Sequence, residues 1–440
     1  MGRPPLTRML DVRMNGRLVG HYGFSPSGGT SFQYAGEWLD WENRFAISRQ
    51  LPLDTGVQRG AHVTAVFENL LPDNPDLRRL IAERTEARSP RPHDLLAAIG
   101  RDCIGALQFL PPDSDPGDPF RLDSTPRSEA QIARTLRNLA SAPLGLDGQS
   151  PFRISLAGAQ EKTAFLRRDG AWHQPLGVAP TTHIFKRPMG LVAGQIDLSD
   201  SVENEYLCLR IAGALGLPVN QAEIARFEDQ KALVITRFDR GPRARGGMVR
   251  LPQEDFLQAL GLESGQKYQQ HGGPDFRACV SLAAGSIDRA GDMKLLLKAQ
   301  VLFWMLTATD GHAKNFSLHL GPGGYRMTPL YDILSAAPHA ASAALRHREV
   351  QLAMSVGQRR HYRIDQVHPR HFAQSAARAG IPPALAQDAF ADLARPEALD
   401  QAAAGLPATF PDRVATPILE TARQRMTLFT DALERGTLTA

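Results

Sequence analysis

Lysine is scarce in this chain of 440 residues: only seven of its 50 basic side chains are lysine, and none precedes Lys162. Cysteine is scarcer. Cys103, Cys208 and Cys279 lie far apart with no CxxC pair among them, which excludes a disulfide framework and a thiolate zinc site. Long apolar runs are missing too: none approaches the roughly 18 residues of a membrane span, and the opening MGRPPLTRMLDVRMNG has no apolar stretch long enough for a signal peptide. The expectation is a soluble cytoplasmic protein without membrane attachment. The net charge of +4 is too small over this length to mark a nucleic-acid binder, and no basic stripe compensates. What is present is 42% hydrophobic side chains, enough for packed cores, and length for about two to three domains at roughly 150 residues each.

Three segments are expected. Residues 1–150 form an N-terminal α/β module plus linker. Asn15-Gly16 between alternating stretches predicts a hairpin, helical periodicity follows at 77–87 and 94–99, and PPDSDPGDPFRLDSTP at 111–126 has the composition of a long surface loop. Residues 151–240 are β-rich, with a second hairpin around Asp169-Gly170, strands at 182–186, 222–227 and 232–238, and a helix at 202–215. Residues 241–440 are mostly helical, interrupted by a hairpin at 315–329.

That interruption carries chemistry. Phosphoryl transfer from ATP needs an acidic side chain to orient the acceptor hydroxyl and two oxygen ligands that hold Mg²⁺ against the phosphates. Here the apolar run VLFWML leads into Asp310-Gly311-His312-Ala313-Lys314-Asn315; Asp310 and Asn315 stand five residues apart, as kinase catalytic loops require, and the hairpin then delivers Asp332. A lone Asp-Gly at a helix end is ordinarily a turn; the conjunction is what points to catalysis. The second requirement is a lysine on a strand facing the phosphates, braced by a glutamate from the next helix. Lys186 in HIFK and Glu205 meet it. Upstream, Ala157-Gly158-Ala159 and Lys162 form a small-residue turn whose N–H groups can approach phosphate. No glycine precedes Lys162 and a hairpin follows it, so this is not a Walker A loop.

The runs ISLAGAQEKTAF, PTTHIFK, NEYLCL, RFDR, LPQEDF with KYQQHGGP, ATDGHAKNFS and MTPLYDI strongly resemble the HipA family of serine/threonine kinase toxins, over nearly the whole chain. The resemblance implies an α+β, two-lobed protein-kinase-like fold with an N-terminal α/β module and a mostly helical C-terminal lobe. It also implies ATP and Mg²⁺ as cofactors and phosphorylation of a protein serine, an aminoacyl-tRNA synthetase in well-known members, with arrest of translation and growth. A HipB-like helix-turn-helix antitoxin is the implied partner. Operator DNA would be reached mainly through it, so that the complex is nucleoid-associated.

By the same resemblance Asp310 is the catalytic aspartate, Asn315 and Asp332 are the Mg²⁺ ligands, and Lys186 contacts the α- and β-phosphates with Glu205 as its ion-pair partner. Thr236 to Phe238 form the hinge at the adenine with Asp239 close by, and His312 and Lys314 contact phosphate. Ser155 is the autophosphorylation site that switches activity off. Some relatives carry glutamate where this chain has Thr236, which removes one side-chain contact to the nucleotide. Two other functions are compatible with the residues: a co-repressor with weak kinase activity acting through an antitoxin–operator complex, and a kinase for a small-molecule acceptor, because the same phosphate machinery serves many acceptors.

Overall fold

Asn15 and Gly16 take φ of 48° and 87°, the left-handed pair of a type I′ turn, and close β1 (Arg8–Met14) onto β2 (Arg17–Phe24). The computed structural model describes residues 7–146, 154–158, 160–192 and 196–438. Two compact units divide the chain: Met1–Arg187 with Ala225–Gly265 and Leu318–Gly324, and Pro188–Ile224 with Gln266–Ser317 and Tyr325–Ala440.

In the first unit, β1 and β2 join β3 (Thr30–Tyr34), β4 (Gln58–Arg59) and β5 (Leu107–Leu110) in a sheet of order β4-β3-β2-β1-β5. Its inward residues Val12, Tyr22, Phe32 and Phe109 pack with Val63, Phe67, Leu95 and Leu96 of the helices Ala61–Glu68 and Pro92–Ile99. A six-stranded sheet follows. Its order is Ala222–Phe227, Gln230–Thr236, β9 (His183–Lys186), β7 (Lys162–Arg168), β8 (Ala171–Pro175) and β6 (Ser124–Pro126). Asp169 and Gly170, at φ 51° and 80°, repeat the type I′ device between β7 and β8. The proline-rich segment expected to be all loop ends as β6; the sheet tolerates Pro126 because an edge strand needs fewer ladder N–H groups.

The units cut the chain differently from the segments 1–150, 151–240 and 241–440. The reason is packing: one apolar cluster runs from β1 and β2 through Leu144, Ile154 and Leu156 to Ala164 on β7, so the N-terminal module and the second sheet share a core. The second unit is mostly helical. Its helix Arg289–Met305 is buried on every side from Leu295 onward, as a central helix should be, and packs against Pro383–Leu393 and Asp412–Glu434. Among the described residues no helix is long and apolar enough to cross a membrane, and Cys103, Cys208 and Cys279 are free and buried.

Candidate active site

The loop after the central helix is shaped by two local constraints. Thr307 turns to φ 57°, and the Ala308 N–H returns to the Phe303 carbonyl at 2.7 Å. At Gly311 a Cβ would lie 2.2 and 2.4 Å from Phe303 ring atoms, so glycine is required there for space. The loop then folds on itself. The His312 N–H donates to the Asp310 carbonyl at 2.8 Å, the Asn315 N–H to the His312 carbonyl at 2.9 Å, and Asn315 Nδ2 to the Asp310 carbonyl at 2.6 Å. The five-residue spacing thus brings Asp310 and Asn315 together, and the side-chain bond fixes which end of the Asn315 amide is oxygen.

The Asp310 carboxylate is half-exposed and accepts the Tyr268 hydroxyl. His312 Nε2 lies 3.6 Å away. The His312 ring is buried edge-on to Tyr268, centroids 5.0 Å apart, with neither nitrogen hydrogen-bonded. Burial pushes its pKa down, against the pull of Asp310, so the ring is a neutral imidazole beside the carboxylate. Lys314 and Asn315 are also buried.

Asp332 sits at φ 59°, a conformation costly for a non-glycine residue and held here from both sides. Before it, the Leu330 N–H donates to the Pro218 carbonyl (2.8 Å) and the Asn220 N–H to the Leu330 carbonyl (2.9 Å). After it, Asn204 Nδ2 donates to the Ser335 carbonyl (2.8 Å), the Ser335 N–H donates to Asn204 Oδ1 (2.7 Å), and Ser335 Oγ donates to the Leu306 carbonyl (2.5 Å). Asn204 stands on the helix Ser201–Ala214, which also carries the buried Glu205. From the helix Asp412–Glu434, Arg425 donates to the carbonyl of Trp304 and, at 2.9 Å, to Thr307 Oγ1. Asn315 and Asp332 offer oxygen ligands, the donor type a hard divalent cation takes when substrate phosphates and water complete its shell.

Tyr268, Asn204 and Arg425 were not assigned a role from sequence. The first two lie in the quoted runs KYQQHGGP and NEYLCL, which gave a signal without a role; Arg425 gave none.

In the other unit, Lys162 on β7 stands directly opposite Lys186 on β9, both buried. Lys162 Nζ donates to the Ala157 carbonyl, and a Cβ on Gly158 (φ 98°) would lie 2.6 Å from that Nζ, so the turn needs its glycine. Ala159 lies outside the described residues. On the neighbouring strand Leu233 pairs with Lys186 and Thr236 with His183, which places the segment leading to Phe238 beside the lysine strand. Thr236 and Phe238 are half-buried.

Asp239 does not face the same side as Thr236 and Phe238, contrary to what the resemblance implies. Burial alternates along the segment, and Asp239 lies with Arg237 on the covered side, away from Thr236 and Phe238. Its carboxylate accepts Arg237 Nη2 at 2.7 Å and the Gly105 N–H at 2.6 Å and pairs with Arg240 at 3.0 Å. Asp102 completes a buried cluster. Its Oδ1 accepts Arg240 Nη2 (2.9 Å) and Arg250 Nη2 (3.1 Å), and its Oδ2 accepts the Thr181 N–H (3.0 Å) and hydroxyl (2.8 Å). The RFDR run therefore ties the second sheet to the N-terminal module, and Asp239 is committed to that tie. Ser155 is also enclosed: it has no exposed surface, and its hydroxyl donates to the Leu70 carbonyl at 2.7 Å.

Residues 154–399 match the HipA-like C-terminal domain and residues 10–110 the HipA N-terminal domain. Y4mE of Sinorhizobium fredii, named as a kinase, is 36% identical over 357 residues, 80% of this chain and 81% of that one. The serine/threonine-protein kinase toxin HipA of Shewanella oneidensis is 28% identical over 367 residues, 80% of this chain and 79% of that one. The fold matches HipA in the solved complex of Shewanella oneidensis MR-1 HipA, HipB and operator DNA, with a TM-score of 0.79 and 23% identity across 97% of this chain and 99% of that chain. A carboxylate loop, a paired-lysine sheet and both domain matches lead to one conclusion: the chain belongs to the HipA family.

Proposed function

We propose that the chain is an ATP-dependent protein-serine kinase and the toxin of a toxin–antitoxin pair. The observation that carries this is the tie of Asn315 to Asp310 in one loop, with Asp332 held at φ 59° beyond it: one carboxylate placed for an acceptor hydroxyl and two oxygen ligands fixed in advance. Asn315 and Asp332 would hold Mg²⁺, which supplies charge neutralisation on the phosphates when bound. Asp310 orients the acceptor hydroxyl and takes its proton. Lys162 and Lys186 hold phosphate oxygens, with Glu205 bracing Lys186. His312 and Lys314 serve as donors to phosphate, and the backbone from Thr236 to Phe238 meets the base.

The acceptor is proposed to be an aminoacyl-tRNA synthetase, with growth arrest as the result. The partner is proposed to be a HipB-like helix-turn-helix antitoxin through which operator DNA is reached, by analogy with the Shewanella complex. Autophosphorylation at Ser155 requires its loop to leave the Leu70 carbonyl first. About two added negative charges would then oppose return to a turn that faces phosphate.

Transfer of labelled phosphate from Mg-ATP to the chain itself and to a synthetase is the test. The Asp310→Ala variant is expected to lose at least about a hundredfold in rate. Equal transfer by the variant would end the proposal, and mass spectrometry that found phosphate only at sites other than Ser155 would end its autoinhibitory part.

A further inference from the structure

We propose that the cavity at the tip of the hairpin after Asp239 binds a phosphate-bearing small molecule of about nucleotide size. The hairpin pairs Arg240–Pro242 with Met248–Arg250, and its root is rigid because the facing residues Arg240 and Arg250 both donate to Asp102. Its tip reads Arg243-Ala-Arg245-Gly246-Gly247. Both glycines stand at φ 82°, and a Cβ on Gly247 would lie 2.2 Å from the Phe120 carbonyl oxygen, so the tip is seated against the linker. The Arg243 guanidinium lies over the Phe120 ring, 3.9 Å from its centroid, which holds the fork in place. Arg121, Arg168, Arg243 and Arg245 line a cavity of about 560 Å³ together with Asp118 and Asp123.

Charge decides what such a cavity takes. Asp123 is paired with Arg121 at 3.1 Å, Arg168 with Asp169 at 3.3 Å, and Asp118 Oδ1 accepts the Phe120 N–H at 2.9 Å. Among the described residues no carboxylate lies within ion-pair distance of Arg243 or Arg245. Guanidinium forks bind phosphate oxygens in pairs, and the volume falls in the range of small-molecule sites. Four arginines around one concavity suit a compact phosphate group better than a strand backbone, which calls for a continuing groove. No residue of this site takes part in the kinase reading, so the two proposals stand or fall separately.

Calorimetry on the full-length chain at low ionic strength, with inorganic pyrophosphate and with AMP as probes, tests this. A Lys186→Ala chain, which removes the nucleotide lysine, is expected to keep the binding event; adding Arg243→Gln and Arg245→Gln is expected to weaken it by about tenfold or more without shifting the melting temperature. Tighter binding of AMP would identify a nucleotide and tighter binding of pyrophosphate a bare phosphate group, both within the proposal. Unchanged affinity in the arginine variants or no binding by the Lys186→Ala chain would overturn it.

Discussion

Replacing Asp102 by Asn keeps the side chain's shape and removes its charge from a site where, among the described residues, Arg237, Arg240 and Arg250 face only one other carboxylate, Asp239. All these side chains are at most 5% exposed, so water cannot compensate. Breaking a buried ion pair by removing one partner costs about 3–5 kcal/mol. In addition, the Asn amide nitrogen would face the donors of either Thr181 or the arginines. For a cooperative unit of this size, about 2–4 °C per kcal/mol, the melting temperature at pH 7 should fall by about 6–20 °C. The pH dependence has a definite sign. Burial alone would raise the Asp102 carboxyl, but Arg240, Arg237 and Arg250 hold it well below the ordinary carboxylate range. Its stabilisation is therefore complete above the unfolded pKa near 4 and is lost as pH falls toward the folded one, so the gap between the native chain and the variant narrows only in acid. Thermal melts of both proteins from pH 8 down to pH 3 read this directly. A variant melting within about 2 °C of the native chain at pH 7 would refute the assignment of the cluster as the tie between module and sheet.

Glu254 is predicted to act in the opposite sense. Burial pushes its carboxyl up to about 7, against the Ser48 hydrogen bond, and its Oε2 has no partner; the native chain should lose stability relative to Glu254→Gln as pH rises from about 4.5 through 7, by about 3 kcal/mol in all, at 1.36 kcal/mol per pH unit. Melts at pH 5 and pH 8 check it, an equal difference at both being the contrary result. Gly311→Ala forces a methyl group into the Phe303 ring and should cost about 1–3 kcal/mol with loss of labelling activity, the latter from displacement of Asp310. Arg425→Met removes the donor from the Trp304 carbonyl and Thr307, which should cost about 1.5–3 kcal/mol and lower kcat more than KM for ATP, with Lys recovering part of the loss; a purely global loss of folded protein would show instead as reduced active concentration with unchanged KM and kcat.

Local chemistry is what made parts of this molecule readable in advance. The turns at Asn15-Gly16 and Asp169-Gly170 follow from two adjacent residues, and the link from Asn315 to Asp310 spans a single loop, so each leaves its mark in a short string. Asp102 could not be found that way: its partners Arg237 and Arg250 lie 135 and 148 residues away, and an Asp beside a Cys has no signature. Asp239 escapes for a related reason, since the RFDR run does not say which of its side chains turn inward. Tyr268 and Asn204 act through contacts to Asp310 and Ser335 that depend on how separate segments meet.

Under the proposed autophosphorylation, Ser155, with no exposed surface and its backbone N–H given to the Asp102 carbonyl at 3.0 Å, would make self-modification a clock rather than a simple reaction. Only the fraction of molecules whose loop has opened can be modified, so the observed rate is the intrinsic rate multiplied by that fraction. Each 1.4 kcal/mol of loop anchoring lengthens the active interval about tenfold. Buried Ile154 and Leu156 on either side of the serine contribute to that anchoring. A substitution at Leu70, whose carbonyl holds the Ser155 hydroxyl, would then set how long the proposed kinase stays active.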